Sequence, residues 1–262
     1  MRYTIYFGIA LAATTLGALT GMGGGVIIKP VLDVLGDYDA ATINLLSSVT
    51  VFVMALVSVE KQLRQGTVIN IRMAASLAVG SLLGGNIGQI ILAGVIAAFQ
   101  AGRMVVAVQN ICLALLIMIV FLYLGKGKKR LTLGLQGILP VLLTGVTLGI
   151  ISAFLGIGGG PVNVALIVFV CSCEMKTAAV YSIITILFAQ VSKLATILLS
   201  GTFLSHDLSM IPVMIPGAVL GGWAGSCLSK RLSGKAVEKA FGGVQLLVLI
   251  ICLFNIFRNL IP

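Results

Sequence analysis

Gly21-Met22-Gly23-Gly24-Gly25 returns 135 positions later as Gly156-Ile157-Gly158-Gly159-Gly160, and both runs interrupt long apolar stretches. Glycine in a helix interior costs about 1 kcal/mol relative to alanine, so three within four residues break a helix. Inside hydrocarbon a break strands backbone N–H and C=O groups. It survives only where protein, water or a ligand satisfies them. Matching breaks in two halves of a membrane protein point to a central binding site of a transporter. Close helix packing through small residues is the other reading of such runs.

Composition sets the medium. The chain of 262 residues is 59% hydrophobic and 9% charged, against about 25% charged in ordinary soluble domains. Apolar segments run approximately over 3–20, 26–37, 41–59, 73–99, 104–124, 135–155, 161–173, 177–199, 208–228 and 240–257. This predicts an all-α, polytopic membrane protein. A signal peptide ending near Leu11-Ala12-Ala13 would remove the helix leading into the first glycine run, so this segment is read as retained. The net charge of +10 sits in short loops, the pattern of topology determinants, which argues against a nucleic-acid partner. The cysteines Cys112, Cys171, Cys173, Cys227 and Cys252 have no metal-ligand spacing, and His206 lies in a loop. No catalytic constellation, metal or cofactor is expected, and the chain does not read as an enzyme.

The halves match beyond the glycines. Ser47 and Thr50 fall on Ser182 and Thr185, and Gly66-Thr67 on Gly201-Thr202, all at the same offset of 135. Gly80, Gly84, Gly85 and Gly88 parallel Gly217, Gly221, Gly222 and Gly225. Such steady offsets mark an internal repeat: residues 1–124, a basic linker over 125–134, and residues 135–262. If both glycine runs are re-entrant turns, twelve Lys/Arg fall on one face: Lys61, Arg64, Arg72, Lys126, Lys128, Lys129, Arg130, Lys176, Lys230, Arg231, Lys235 and Lys239. Arg2, Arg103 and Arg258 make three on the other. Straight crossings give nine against six. Cytoplasmic loops are rich in Lys/Arg, so the first arrangement is preferred. The fold expected is therefore two inverted repeats, each a glycine-broken re-entrant hairpin plus three spanning helices. Both termini face outward and the linker faces the cytoplasm. Segments 26–37 and 161–172 are half-helices of roughly 18 Å, with Pro161 placed to open the second.

A helix N-terminus presents unpaired N–H groups and about half a positive charge, and glycines before it let a ligand approach the backbone. Two such termini at the midplane make an anion site. The candidate contacts are Gly23, Gly24, Gly25, Gly158, Gly159 and Gly160, with Lys29, Asn44, Ser47, Thr50, Asn163, Ser182, Thr185 and Gln190. Ser47, Thr50 and Ser58 share an arc of about 80° on one helix face, and Ser182, Thr185 and Lys193 share the matching arc. Hydroxyls there either face a ligand or bond back to the preceding turn. Lys29, one turn past the first run, reads as a charge for the anion or a carrier of a coupling proton, with snorkelling as the alternative. Lys193, nearer its helix end, reads as snorkelling. Every Asp and Glu maps to a loop or helix end, which weighs against a cation carrier.

Gly-x-Gly-Gly-Gly followed by Pro30, its Gly-Ile-Gly-Gly-Gly-Pro161 partner, and two halves of this length resemble the sulfite exporter TauE/SafE family across essentially the whole chain. The resemblance implies a secondary carrier of sulfur-containing anions such as sulfite or sulfoacetate, in a family with both exporters and importers. Family members usually carry an apolar residue where Lys29 stands, and Pro30 has no counterpart at Ala165. The expected partners are a small anion, a coupling proton or sodium ion, the lipid bilayer of the cell membrane, and a second copy in a homodimer. The rival readings are an anion channel and a non-transporting assembly subunit.

Overall fold

The computed structural model describes residues 2–67, 69–99, 102–125, 131–135, 137–155, 157, 159–201, 203 and 206–260. These contain ten α-helices and no strand. In chain order they are α1 (Arg2–Thr20), α2 (Gly25–Leu35), α3 (Ala40–Arg64), α4 (Ile71–Phe99), α5 (Gly102–Gly125), α6 (Ile138–Leu155), α7 (Gly160–Cys171), α8 (Met175–Leu199), α9 (Ile211–Arg231) and α10 (Gly234–Leu260). All except α2 and α7 contain a stretch long and apolar enough to cross a membrane, eight in number. The chain is a multi-pass membrane protein. The half-helices expected from the apolar segments are α2, with 11 residues, and α7, with 12. The helices before them, α1 and α6, have 19 and 18 residues and are themselves long enough to cross. The basic residues 126–130 of the linker lie outside the described residues, as does Thr202.

Helix contacts come in reciprocal pairs. The first helix, α1, packs along α9, and α6 packs along α4; α3 lies on α9 as α8 lies on α4. Helices α3 and α8 pack on each other, as do α5 and α10. Glycines set the tightest of these seams. Gly80, Gly84 and Gly88 form one edge of α4, and added methyls there would run into the carbonyl oxygens of Leu142, Val146 and Ile150 on α6. Gly217, Gly221 and Gly225 face Phe7, Leu11 and Thr15 of α1 in the same way. Apolar surface gains nothing by moving from lipid to protein, so close backbone approach is what holds such helices together. Cross-helix hydroxyl bonds add to it: Ser192 Oγ donates to Leu82 O at 2.9 Å, Ser58 Oγ to Gly222 O at 3.3 Å, and Thr14 Oγ1 to Gly217 O at 3.4 Å.

Gly84→Leu or Gly221→Leu forces side-chain atoms into a facing carbonyl that belongs to rigid helix. Overpacking of this kind costs about 1–3 kcal/mol and occasionally more. Thermal unfolding in detergent is expected to show a large drop for both, and little change for Gly94→Leu, where a methyl meets nothing within 4 Å.

Candidate functional site

Both glycine runs break the helices they interrupt. In the first, Gly21 and Gly23 take φ of 77° and 75°, a backbone that L side chains resist. The second turns through Gly159 at 100° and Gly160 at 55°; Gly156 and Gly158 lie outside the described residues. Gly24 rests against Thr14 and Ala13 of α1. Thr14 is about 18 Å along α1 from Arg2 at 1.5 Å per residue, so α2 begins deep within the span. The breaks also abut. A methyl on Gly25 would strike the Ile157 carbonyl, and one on Gly160 would stand 3.2 Å from the Val26 side chain. The N-terminal ends of α2 and α7 therefore meet inside the protein.

Partners from the other half of the chain hold the first break. Gly21 presses on Ala179 of α8, and Ser182 Oγ donates to the Gly21 carbonyl at 2.6 Å. Thr50 Oγ1 and Thr185 Oγ1 bond back to Leu46 O at 2.7 Å and Tyr181 O at 2.9 Å, the local alternative for hydroxyls on helices. Ser58 is committed to the seam with α9. Ser47 differs: its Oγ is buried and has no hydrogen-bond partner. One turn along α3, Val51 packs at the place where the two breaks meet.

Asn163 is the most informative of the candidate residues. It lies in the second turn of α7, fully buried, and its amide folds back under Gly159, where a methyl would overlap it. Neither Nδ2 nor Oδ1 has a partner. A buried primary amide with both ends unpaired is costly, about 1–3 kcal/mol per group. Gln190 Oε1 on α8 is buried and unpaired as well.

The intramembrane cations depart from expectation. Lys193 does not snorkel: it is 1% exposed, and its Nζ donates to Asn44 Oδ1 on α3 at 2.6 Å. Its helix runs on to Leu199, and the neighbouring Ser192 bonds to Leu82 of α4 while Lys193 itself reaches α3. Lys29 is likewise buried, and it carries its own counter-ion. Asp33 Oδ2 lies 3.4 Å from Nζ, with side chains 3% and 2% exposed. Asp33 sits in the last turn of α2 as expected, but in the interior and not at a solvated end. Asn110 Nδ2 reaches the same carboxylate oxygen at 3.5 Å, and Asn255 Nδ2 donates to Pro30 O at 3.0 Å. Sequence reasoning missed Asp33, Asn110 and Asn255. Only the first had a signal, the i,i+4 spacing from Lys29.

Removing one member of a buried pair leaves an uncompensated charge and costs about 3–5 kcal/mol, whereas replacing both with apolar groups is often neutral. Lys29→Met should therefore unfold at much lower temperature than the parent, and Lys29→Met with Asp33→Leu should recover most of the loss. A double variant no more stable than Lys29→Met would show that the pair does not balance itself.

This geometry is two broken helices with their positive ends together and the unpaired Asn163 amide at one of them, in a bundle of spanning helices. No curated protein and no solved structure matches the chain. The family model described as sulfite exporter TauE/SafE matches residues 6–251, a range that takes in both glycine runs and the residues at their junction. That family consists of membrane transporters of sulfur-containing anions. The chain belongs to the sulfite exporter TauE/SafE family.

Proposed function

We propose that the protein is a secondary carrier of a small sulfur oxyanion, sulfite or an organosulfonate such as sulfoacetate, bound where α2 and α7 begin. The observation that carries this reading is the Asn163 amide, wholly buried at the N-terminal end of α7 with both polar atoms unpaired. An amide donates through nitrogen to an oxyanion, and the free backbone N–H groups of a helix start do the same. Gly24, Gly25, Gly159 and Gly160 keep side chains away from that backbone, and Ser47 and Gln190 add polar atoms from α3 and α8. Asn44, Thr50, Ser182 and Thr185 frame the site through the contacts described above, with the Lys29–Asp33 pair at its border. Gly23 completes the described part of the glycine frame in this reading.

Inverted repeats with re-entrant hairpins fit the positions of the helix ends. Arg2 pairs with Asp37 at 2.9 Å and Tyr6 OH donates to the same carboxylate at 3.0 Å, so the start of α1 lies beside the end of α2. In the second half Leu133 N and Leu135 N donate to Phe169 O and Val170 O, both at 2.8 Å, so the chain entering α6 lies beside the end of α7. A recess whose lining includes Gln62, Thr67, Glu174, Lys176, Tyr181 and Lys230 opens at the end of α3 and start of α8. Lys176 and Lys230 outnumber Glu174 in its lining, a balance that suits an approach path for anions. Tyr181 on its wall precedes Ser182, the residue that holds Gly21.

Ligand stabilisation of purified protein tests the function. Sulfite, sulfoacetate, sulfate and acetate are compared by thermal unfolding; a ligand at a hundred times its Kd adds about 2.7 kcal/mol. The sulfur oxyanions are expected to raise Tm and acetate is not. Asn163→Leu should fold at least as well as the parent, having lost two unpaired groups, and should lose the ligand shift. An undiminished shift in Asn163→Leu would remove that residue from the site.

The topology is tested in intact cells with an impermeant thiol reagent. A cysteine at position 259 should react and one at position 128 should not. The opposite pattern would overturn the inverted arrangement.

A further inference from the structure

Lys193 is a buried cation without an anion. Its Nζ makes one hydrogen bond, to the neutral Asn44 Oδ1 at 2.6 Å. The ion pairs among the described residues are Arg2–Asp37, Lys29–Asp33 and Arg64–Glu60, none of which includes it. An ammonium carries three donors, so two remain for other acceptors. Charges inside a membrane protein are kept where a partner or a substrate needs them. Two unpaired polar atoms accompany this one: Gln190 Oε1, one turn earlier on α8, and Ser47 Oγ, one turn after Asn44 on α3. Lys29 lies within electrostatic range of Lys193, but its charge is met by Asp33. Among the buried lysines of the described helices, Lys193 is therefore the one that no carboxylate meets.

We propose that Lys193 is the residue whose charge receives the transported anion, and that the preferred substrate is a singly charged oxyanion with two or more acceptor oxygens, a sulfonate or hydrogen sulfite in preference to sulfate. Asn44 holds the ammonium in place while the site is empty. This rests on the carrier reading above and adds to it the charge of the substrate and the group that meets it. A monoanion neutralises the core, and its oxygens take the ammonium's two free donors. A dianion leaves one negative charge to be met by helix ends and hydroxyls alone.

The assignment makes two substitutions of opposite chemistry converge. Lys193→Met removes the cation; Asn44→Asp keeps it and supplies a built-in carboxylate at the same position. Each should weaken methanesulfonate binding at least tenfold, measured by titration calorimetry on purified full-length protein, and neither should lower the Tm of the ligand-free protein. A lysine that serves only packing would behave in the reverse manner, with a lower ligand-free Tm and unchanged affinity. Lys193→Gln, which keeps a polar group in nearly the same volume, serves if the methionine variant does not fold. Wild-type affinity in any folded member of this set overturns the assignment while leaving the anion site standing. Tighter binding of sulfate than of methanesulfonate by the parent protein overturns the inferred substrate charge. A parent protein that binds neither these anions nor sulfite overturns the carrier reading, and this assignment with it.

Discussion

Everything in this protein depends on how two stretches of broken backbone are satisfied away from water. A stranded carbonyl in hydrocarbon costs several kcal/mol, and the chain answers with a group from its other half. Ser182 on α8 donates to Gly21, and Ala179 of the same helix closes on that glycine so tightly that a methyl would not fit. The break and its support are thus 161 residues apart in sequence. What remains unsatisfied is then meaningful. The amide of Asn163 and the hydroxyl of Ser47 sit among groups that found partners, and they did not.

The scaffold is two-fold in its contacts, but its polar chemistry is one-sided. At the repeat offset Asn163 corresponds to Ile28, Lys29 to Val164, Asp33 to Val168, Asn44 to Ala179 and Lys193 to Ser58. Glycines and the serine-threonine pair are kept in both halves, because both need the same backbone path. These ionic and amide groups have no counterpart in the other half, whereas the buried Gln109 and Gln245 do match each other.

Much of the frame was legible in the sequence because its signals are local. Apolar length gives the spans, glycine runs give the breaks, and Pro161 marks the start of α7. The half-helices came out within two residues of their observed ends. The polar interior was harder, since the depth of a lysine depends on what stands across from it. Lys193 looked like a residue near a helix end, and the neighbour that accepts its hydrogen bond, Asn44, is 149 positions away. The hydroxyl stripe shows the same limit. Ser47, Thr50, Ser182 and Thr185 are indistinguishable in pattern, yet two bond back to their own helix, one crosses to Gly21 and one has no partner.

The reciprocal packing of α1 on α9 and α6 on α4 has a consequence for how the chain is made. Synthesis runs from the N-terminus, so α4 emerges with its glycine edge bare and waits for α6, and α1 waits until almost the whole chain is in the bilayer. Neither half encloses its own seams. Insertion therefore passes through a stage in which small-residue grooves face lipid with no helix to fill them. Interleaving of this kind ties biogenesis to completion of the chain: a truncated product has nowhere to hide its grooves, and quality-control proteases have a ready means of telling it from the finished transporter.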